Sequence, residues 1–215
     1  MTTILQAKTL SLYDLEQKFH LTPATSVPQP SIWGTVMPDL AASDLSALVH
    51  IADNYNNQAR YLPLSEELVK MVVLSPLLDL AGFYSRHFRL STEESVEIAL
   101  QEEDELIKGR IDVLIVQDQF WVLAIESKRV QLDVMAALPQ LLVYLLNSPA
   151  QQPEPLGLLT NGREFVFTQI LPTAVDAPQY TCSDAFAINR STDFQTVLKT
   201  LRAIASTKSV TPGIG

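Results

Sequence analysis

Residues 108–129, KGRIDVLIVQDQFWVLAIESKR, limit what this chain can fold into more than any other stretch. Ile, Val, Leu and aromatic residues dominate on both sides of Gln117-Asp118-Gln119, so it reads as two buried strands, 110–116 and 120–128, joined by a tight turn. Three charges interrupt the apolar pattern: Asp112 in the first strand, Glu126 and Lys128 at the end of the second. Residues two apart on a strand share a face, so Glu126 and Lys128 project side by side. Closing the hairpin brings Asp112 to the same end of the sheet. Charges in such strands are costly to bury unless they are paired or hold a metal. Two readings follow. Two carboxylates and an ammonium at a strand end suit a divalent-metal site, with Mg²⁺ taking one or two carboxylates plus waters and phosphate oxygens. The same residues suit a structural salt bridge of Lys128 with Glu126 or Asp112.

The 215 residues are 47% hydrophobic, enough for one sizeable core with an extension. The net charge of −9 argues against broad nucleic-acid binding through a basic surface, but not against a local basic groove or a metal-bridged contact with phosphate. Cys182 is the single cysteine, so no intramolecular disulfide forms. No signal peptide and no membrane-length apolar run is apparent, so a soluble cytoplasmic protein is expected.

Residues 1–10 have no strong pattern. A short helix is expected over 11–19 with Ser11 as N-cap, and an irregular segment over 22–38, broken by Pro23, Pro28, Pro30 and Pro38 and anchored by Trp33. Leu45, Leu48, Ile51 and Tyr55 predict a helix over 39–60. A buried helix is expected over 64–81, capped by Ser65, with Glu66 and Glu67 in its first turn, a kink at Pro76 and an end at Gly82. An extended stretch over 83–90, a strand over 95–101 and an acidic solvated turn at 102–105 precede the hairpin. After it come a helix over 132–146 bearing Gln140 and Tyr144, a strand over 156–159, a turn at Asn161-Gly162, strands over 164–170 and 180–188, and a helix over 193–206. The tail from 207 to 215 is expected to be disordered. Trp121 is expected on the face opposite Glu126. A mixed central sheet flanked by helices, an α/β domain, accommodates this order.

Asp112 followed by Glu126-Ser127-Lys128 resembles the D…(D/E)xK signature of the restriction-endonuclease-like nuclease superfamily. The glutamate-bearing helix ahead of the strands and the Gln140-x-x-x-Tyr144 pair behind them resemble nucleases related to the RecB nuclease domain. Ser75-Pro76-Leu77-Leu78 with Gly82, and Leu158-Leu159-Thr160-Asn161-Gly162, are similar to the N-terminal nuclease domain of type I restriction R subunits. The resemblance spans residues 61–170. It implies a nuclease domain over 61–206 and leaves 1–60 as an N-terminal helical extension packed on that core. Ile111 stands where the signature often has Pro, and no GxxxxGK[ST] phosphate loop occurs, so no motor activity is implied.

The resemblance implies Mg²⁺-dependent hydrolysis of DNA, with Mn²⁺ as a substitute. Asp112 and Glu126 would ligate the metal with the Ser127 carbonyl, and Glu67, or failing that Glu66, would add an acidic contact. Lys128 would orient the attacking water, and Gln140 and Tyr144 would position the site or touch DNA. Arg86, Arg89, Lys108, Arg110, Arg129 and Arg163 are candidates for a local basic groove. Many such nucleases act as dimers, so a homodimer stays open. The alternative is a catalytically silent module that keeps the fold for protein interaction or oligomerisation. His20, His50 and His87 share no metal-ligand spacing, and Cys182 lacks a catalytic partner.

Overall fold

The computed structural model describes residues 3–25, 33, 39–61, 63–100, 105–149, 154–171 and 177–207. The chain begins with strand β1 (Thr3–Gln6), helix α1 (Leu12–Phe19), strand β2 (Thr22–Pro23) and helix α2 (Ala42–Ala59). Helices α3 (Glu66–Val69) and α4 (Ser75–Ala81) follow, joined by a π-helical turn, Lys70–Leu74. Next come β3 (Arg89–Leu100), β4 (Glu105–Gln117), β5 (Phe120–Ser127), α5 (Leu138–Leu146), β6 (Leu156–Thr160), β7 (Glu164–Leu171), β8 (Gln179–Cys182), β9 (Phe186–Ala187) and α6 (Ser191–Thr207).

All nine of these strands belong to one mixed sheet, ordered β1-β4-β5-β6-β7-β8-β2, with β3 also on β4 and β9 also on β7. The first sixty residues are therefore not a purely helical extension. β1 runs parallel to β4, Thr3 opposite Glu105, and β2 runs parallel to β8, Thr22 opposite Gln179. Pro23 in β2 suits an outer strand, where a missing N–H leaves no ladder bond unmade. The stretch expected as one strand over 180–188 is split into β8 and β9. The expected acidic turn at 102–105 lies outside the described residues except for Glu105, which opens β4, and the tail beyond 207 also lies outside them.

Local sequence explains the helix ends. The Ser11 hydroxyl accepts the Asp14 N–H at 3.2 Å while Asp14 accepts the Ser11 N–H at 2.7 Å, which satisfies donors that the first turn leaves free. Ser65 accepts the Leu68 N–H at 3.3 Å in the same role for α3. Pro76 cannot donate, and its ring would crowd the carbonyl four residues back. In place of the expected kink, the turn ahead of it widens, and the Ser75 N–H bonds to the Lys70 carbonyl five residues away. The helix expected over 132–146 opens as a 3-10 turn, Val134–Ala137, with Asp133 accepting the Met135 N–H at 2.9 Å.

Each face of the sheet buries its own apolar layer. On one face Leu48, Val73, Leu77, Phe194 and Leu198 of α2, the π turn, α4 and α6 pack over Ile115, Leu123, Ile125 and Phe165, and the half-buried Trp33 packs against them. On the other, Leu15 of α1 and Leu138, Leu141, Leu142 and Tyr144 of α5 pack over Leu114, Ala124, Leu159 and Val166. Burying a leucine or phenylalanine side chain fully contributes about 1.5–3 kcal/mol, so these layers hold the helices against the sheet. Asn161 accepts the N–H groups of Arg163 and Glu164 in the β6–β7 turn, and Gly162 there lies under Val69. A Cβ at Gly162 would meet Val69 at 2.9 Å, so glycine lets the start of the 66–81 helix settle beside the carboxyl end of β5.

Among the described residues, no helix is long and apolar enough to cross a membrane.

Candidate active site

The expected hairpin forms, and its two strands part at the three charges. β4 and β5 are paired from Gln117–Phe120 up to Val113–Ile125. One step further Asp112 and Glu126 would face each other, but the ladder stops there. Asp112 instead takes the place of a strand partner: its Oδ2 accepts the Ser127 N–H at 2.7 Å and the Ser127 hydroxyl at 2.9 Å. β1 pairs with the far half of the same edge of β4, residues 105–108. Residues 109–112 are thus left as a gap in the sheet between β1 and β5.

Tyr144 closes that gap. Its hydroxyl accepts the Arg110 N–H at 3.0 Å and donates to the Arg110 carbonyl at 3.1 Å, so a side chain does the work of a missing strand. The ring edge lies close over Gly109, where a Cβ would come within 2.6 Å of Tyr144 Cε1. Only glycine allows that approach. Gln140, one helical turn before Tyr144, donates to the same hydroxyl at 2.8 Å and accepts from Lys128 Nζ at 3.3 Å. Lys128 in turn bonds Glu126 Oε1 at 2.8 Å. A continuous chain therefore runs from the Arg110 backbone through Tyr144, Gln140 and Lys128 to Glu126. Burial, reinforced by the Glu126 charge, pushes the Tyr144 phenol up to about 12, so it stays a neutral donor.

Glu126 is 2% exposed, and its Oε2 has no hydrogen-bond partner among the described residues. Burial and the neighbouring Asp112 charge push its carboxyl from 4.5 up to about 8, against the pull of Lys128. A buried carboxylate oxygen with nothing on it is costly and rare. Glu126 lines a cleft of about 630 Å³ together with Asp112, Lys128, Gln140, Tyr144, Glu66 and Glu67.

The cleft thus brings together Asp112, Glu126, Lys128, Gln140, Tyr144, Glu66 and Glu67, and Ser127 adjoins it through Asp112. Glu66 and Glu67 are not equivalent there. Glu67 is turned to its own backbone N–H and to Ser65, which holds its carboxyl below the usual range, while the charge of Glu66 reaches Glu126. Ser127 meets Asp112 through its N–H and hydroxyl. Of the basic candidates, Lys108 and Arg110 line the cleft, paired with Glu97 and Glu93. Arg129 lines a neighbouring hollow with Glu66 and Glu67, Arg163 pairs with Glu164, and Arg86 and Arg89 do not line the cleft. Trp121 does not lie opposite Glu126. A register shift between Ile115 and Val116 turns it to the Ala124 side, where it packs half-buried in the core. Cys182 sits away from the cleft, bonded to Thr168, with its thiol pushed up by burial.

Two members were missed. Lys70, at the head of the π turn, bonds Asp112 Oδ1 at 3.1 Å, and Glu93 on β3 lies 3.5 Å from the same amine. Burial pulls the Lys70 amine down, but Asp112 and Glu93 outweigh it and hold the amine above its ordinary value. A lone lysine inside the apolar run 68–74 was the available signal for it.

Among the described residues, no three His, Cys, Asp or Glu side chains form a metal-binding group by themselves. A Mg²⁺ site does not require three, since one or two carboxylates with waters and phosphate oxygens suffice. Glu126 Oε2, without a partner among the described residues, and Asp112 line one cleft, and that donor set fits such an ion. A scan of protein-family models matches no family, and no curated protein matches the chain.

Proposed function

We propose that the protein is a Mg²⁺-dependent nuclease that hydrolyses DNA phosphodiester bonds, with a restriction-endonuclease-like core similar to the nuclease domain of type I restriction R subunits but without a motor. One observation carries the reading: a buried carboxylate oxygen without a partner, set beside a second carboxylate at a strand fork, with a lysine held against it. Asp112 and Glu126 would hold Mg²⁺ or Mn²⁺, with Glu66 rather than Glu67 as the further acidic contact. The metal supplies Lewis-acid stabilisation of phosphate charge and a more acidic bound water.

The chain's own residues do the rest. Ser127 holds Oδ2 of Asp112 by two hydrogen bonds. Lys128, oriented by Gln140, presents an ammonium to the attacking water and to charge developing on phosphate. Gln140 and Tyr144 act as positioning residues: their polar atoms are engaged with Lys128 and the Arg110 backbone. An anionic scissile phosphate can approach two carboxylates only with a cation between them.

Plasmid digestion with Mg²⁺ or Mn²⁺ tests this. Wild type is expected to cut, and Asp112→Ala and Lys128→Ala are expected not to; equal cutting by all three sinks the reading. The second reading, a silent module for protein interaction or oligomerisation, draws on Asp112 having both oxygens engaged by protein donors. It predicts no Mn²⁺-induced rise in melting temperature, whereas ligand binding to the native state must produce one.

A further inference from the structure

Lys70 and Glu93 have no part in the nuclease signature, yet the fold makes three unusual provisions for them. The π turn begins at Lys70, and such widened turns concentrate at functional positions. Glu93 holds a left-handed backbone, φ 58°, in the middle of an otherwise regular strand, an unfavourable conformation for a non-glycine residue. It also lies opposite Asp112 in register, between the pairs Thr92–Val113 and Glu94–Ile111. The Lys70 amine sits between the two carboxylates, at 3.1 Å from Asp112 and 3.5 Å from Glu93. Arg110 holds the other oxygen of Glu93.

We infer that Lys70 is a two-position counter-ion: it neutralises Asp112 when no divalent cation is present and moves to Glu93 when one binds. This rests on Asp112 and Glu126 being the cation site. The physical case is electrostatic. An ammonium on Asp112 Oδ1 and a divalent ion on the same carboxylate repel each other at short range, so both cannot be held at full strength. Glu93 already lies within reach of the amine, so the displaced lysine needs no long excursion. The affinity for metal is then set by an internal competitor, and Lys70 is a positioning residue that acts through Asp112.

Mn²⁺ binding to the full chain, followed by the loss of the free-ion paramagnetic resonance signal, tests this without reference to cleavage. Lys70→Gln is expected to bind Mn²⁺ about ten-fold tighter than wild type, and Lys70→Arg about as weakly as wild type. Glu93→Gln, which removes the receiving carboxylate, is expected to bind about three-fold more weakly. Placed on Lys70→Gln, the Glu93→Gln change is expected to have no effect, because its role is to receive the lysine. Additive effects of the two substitutions would mean only long-range charge, and would overturn the switch. Unchanged or weaker Mn²⁺ binding by Lys70→Gln would overturn it outright. If Lys70→Gln does not fold, the Lys70→Arg and Glu93→Gln pair decides: Glu93→Gln binding as tightly as wild type overturns the proposal. Asp112→Asn separates the two levels. If it binds Mn²⁺ as wild type does, the cation site itself is wrong; if it loses binding while Lys70→Gln is unchanged, only the role of Lys70 falls.

Discussion

Two of the charged pairs that sit against the core of this protein are built to opposite specifications. Asp44 on α2 is clamped by Arg202 on α6 through two parallel hydrogen bonds of 2.6 and 2.7 Å. Asp44 also accepts the Ala41 N–H, and Arg202 also donates to the Leu80 carbonyl, so Asp44 and Arg202 tie α2, α4 and α6 together. Glu126 and Lys128 share one contact of 2.8 Å, and the other carboxylate oxygen has no partner among the described residues. The first pair is closed, as a structural fastening should be. The second is incomplete, which a structural salt bridge has no reason to be.

The contrast can be broken in order of effect. Lys128→Ala or Asp112→Ala is expected to lower cleavage by about 10²–10³-fold or more, measured by plasmid digestion, while the Asp44–Arg202 pair is left intact. Arg202→Ala is expected to cost about 1–2 kcal/mol, or roughly 2–8 °C in melting temperature, with Mn²⁺ binding unchanged. If Mn²⁺ binding changes, the two pairs are not independent. Tyr144→Phe leaves the Arg110 N–H and carbonyl in the gap without their partner and should cost about 1 kcal/mol in thermal melts, with a lower cleavage rate at saturating substrate as Lys128 loses its support.

The smallest effect concerns pH, and the two pairs have opposite signs. The folded state raises the Glu126 carboxyl from 4.5 to about 8, so it binds that proton more tightly than the unfolded chain does. Stability from this group is full below about 4.5 and is lost as pH rises towards 8. Glu126→Gln, in chelator, is therefore expected to melt a few degrees higher than wild type at pH 8 and about equally at pH 5. Arg202 lowers the Asp44 carboxyl below 3.8, so that pair contributes above this value and weakens as acid is added. A melting-temperature difference for Glu126→Gln that is larger at pH 5 than at pH 8 would contradict the assignment.

How much of this could be read from the chain follows from the range of each interaction. The hairpin, the Ser65 cap, the Asn161-Gly162 turn and the Gln140–Tyr144 spacing are local, and each is visible in a few consecutive residues. β1 and β2 were not, because their partners lie about a hundred or more residues away and short parallel strands carry no pattern of their own. Lys70 and Glu93 were hidden for a related reason: neither stands out until the helix and the edge strand are brought against Asp112. Strict alternation sets Trp121 on the face opposite Glu126, but it holds only while register is unbroken, and one extra residue reverses it.

Tyr144 grips residue 110 by its main chain, while the Arg110 side chain is mostly exposed and free of that grip. The identity of residue 110 can therefore drift, or be exchanged by design, without loosening the seam that steadies Lys128. Such a position lets a lineage retune what its cleft favours while the machinery behind it stays in place.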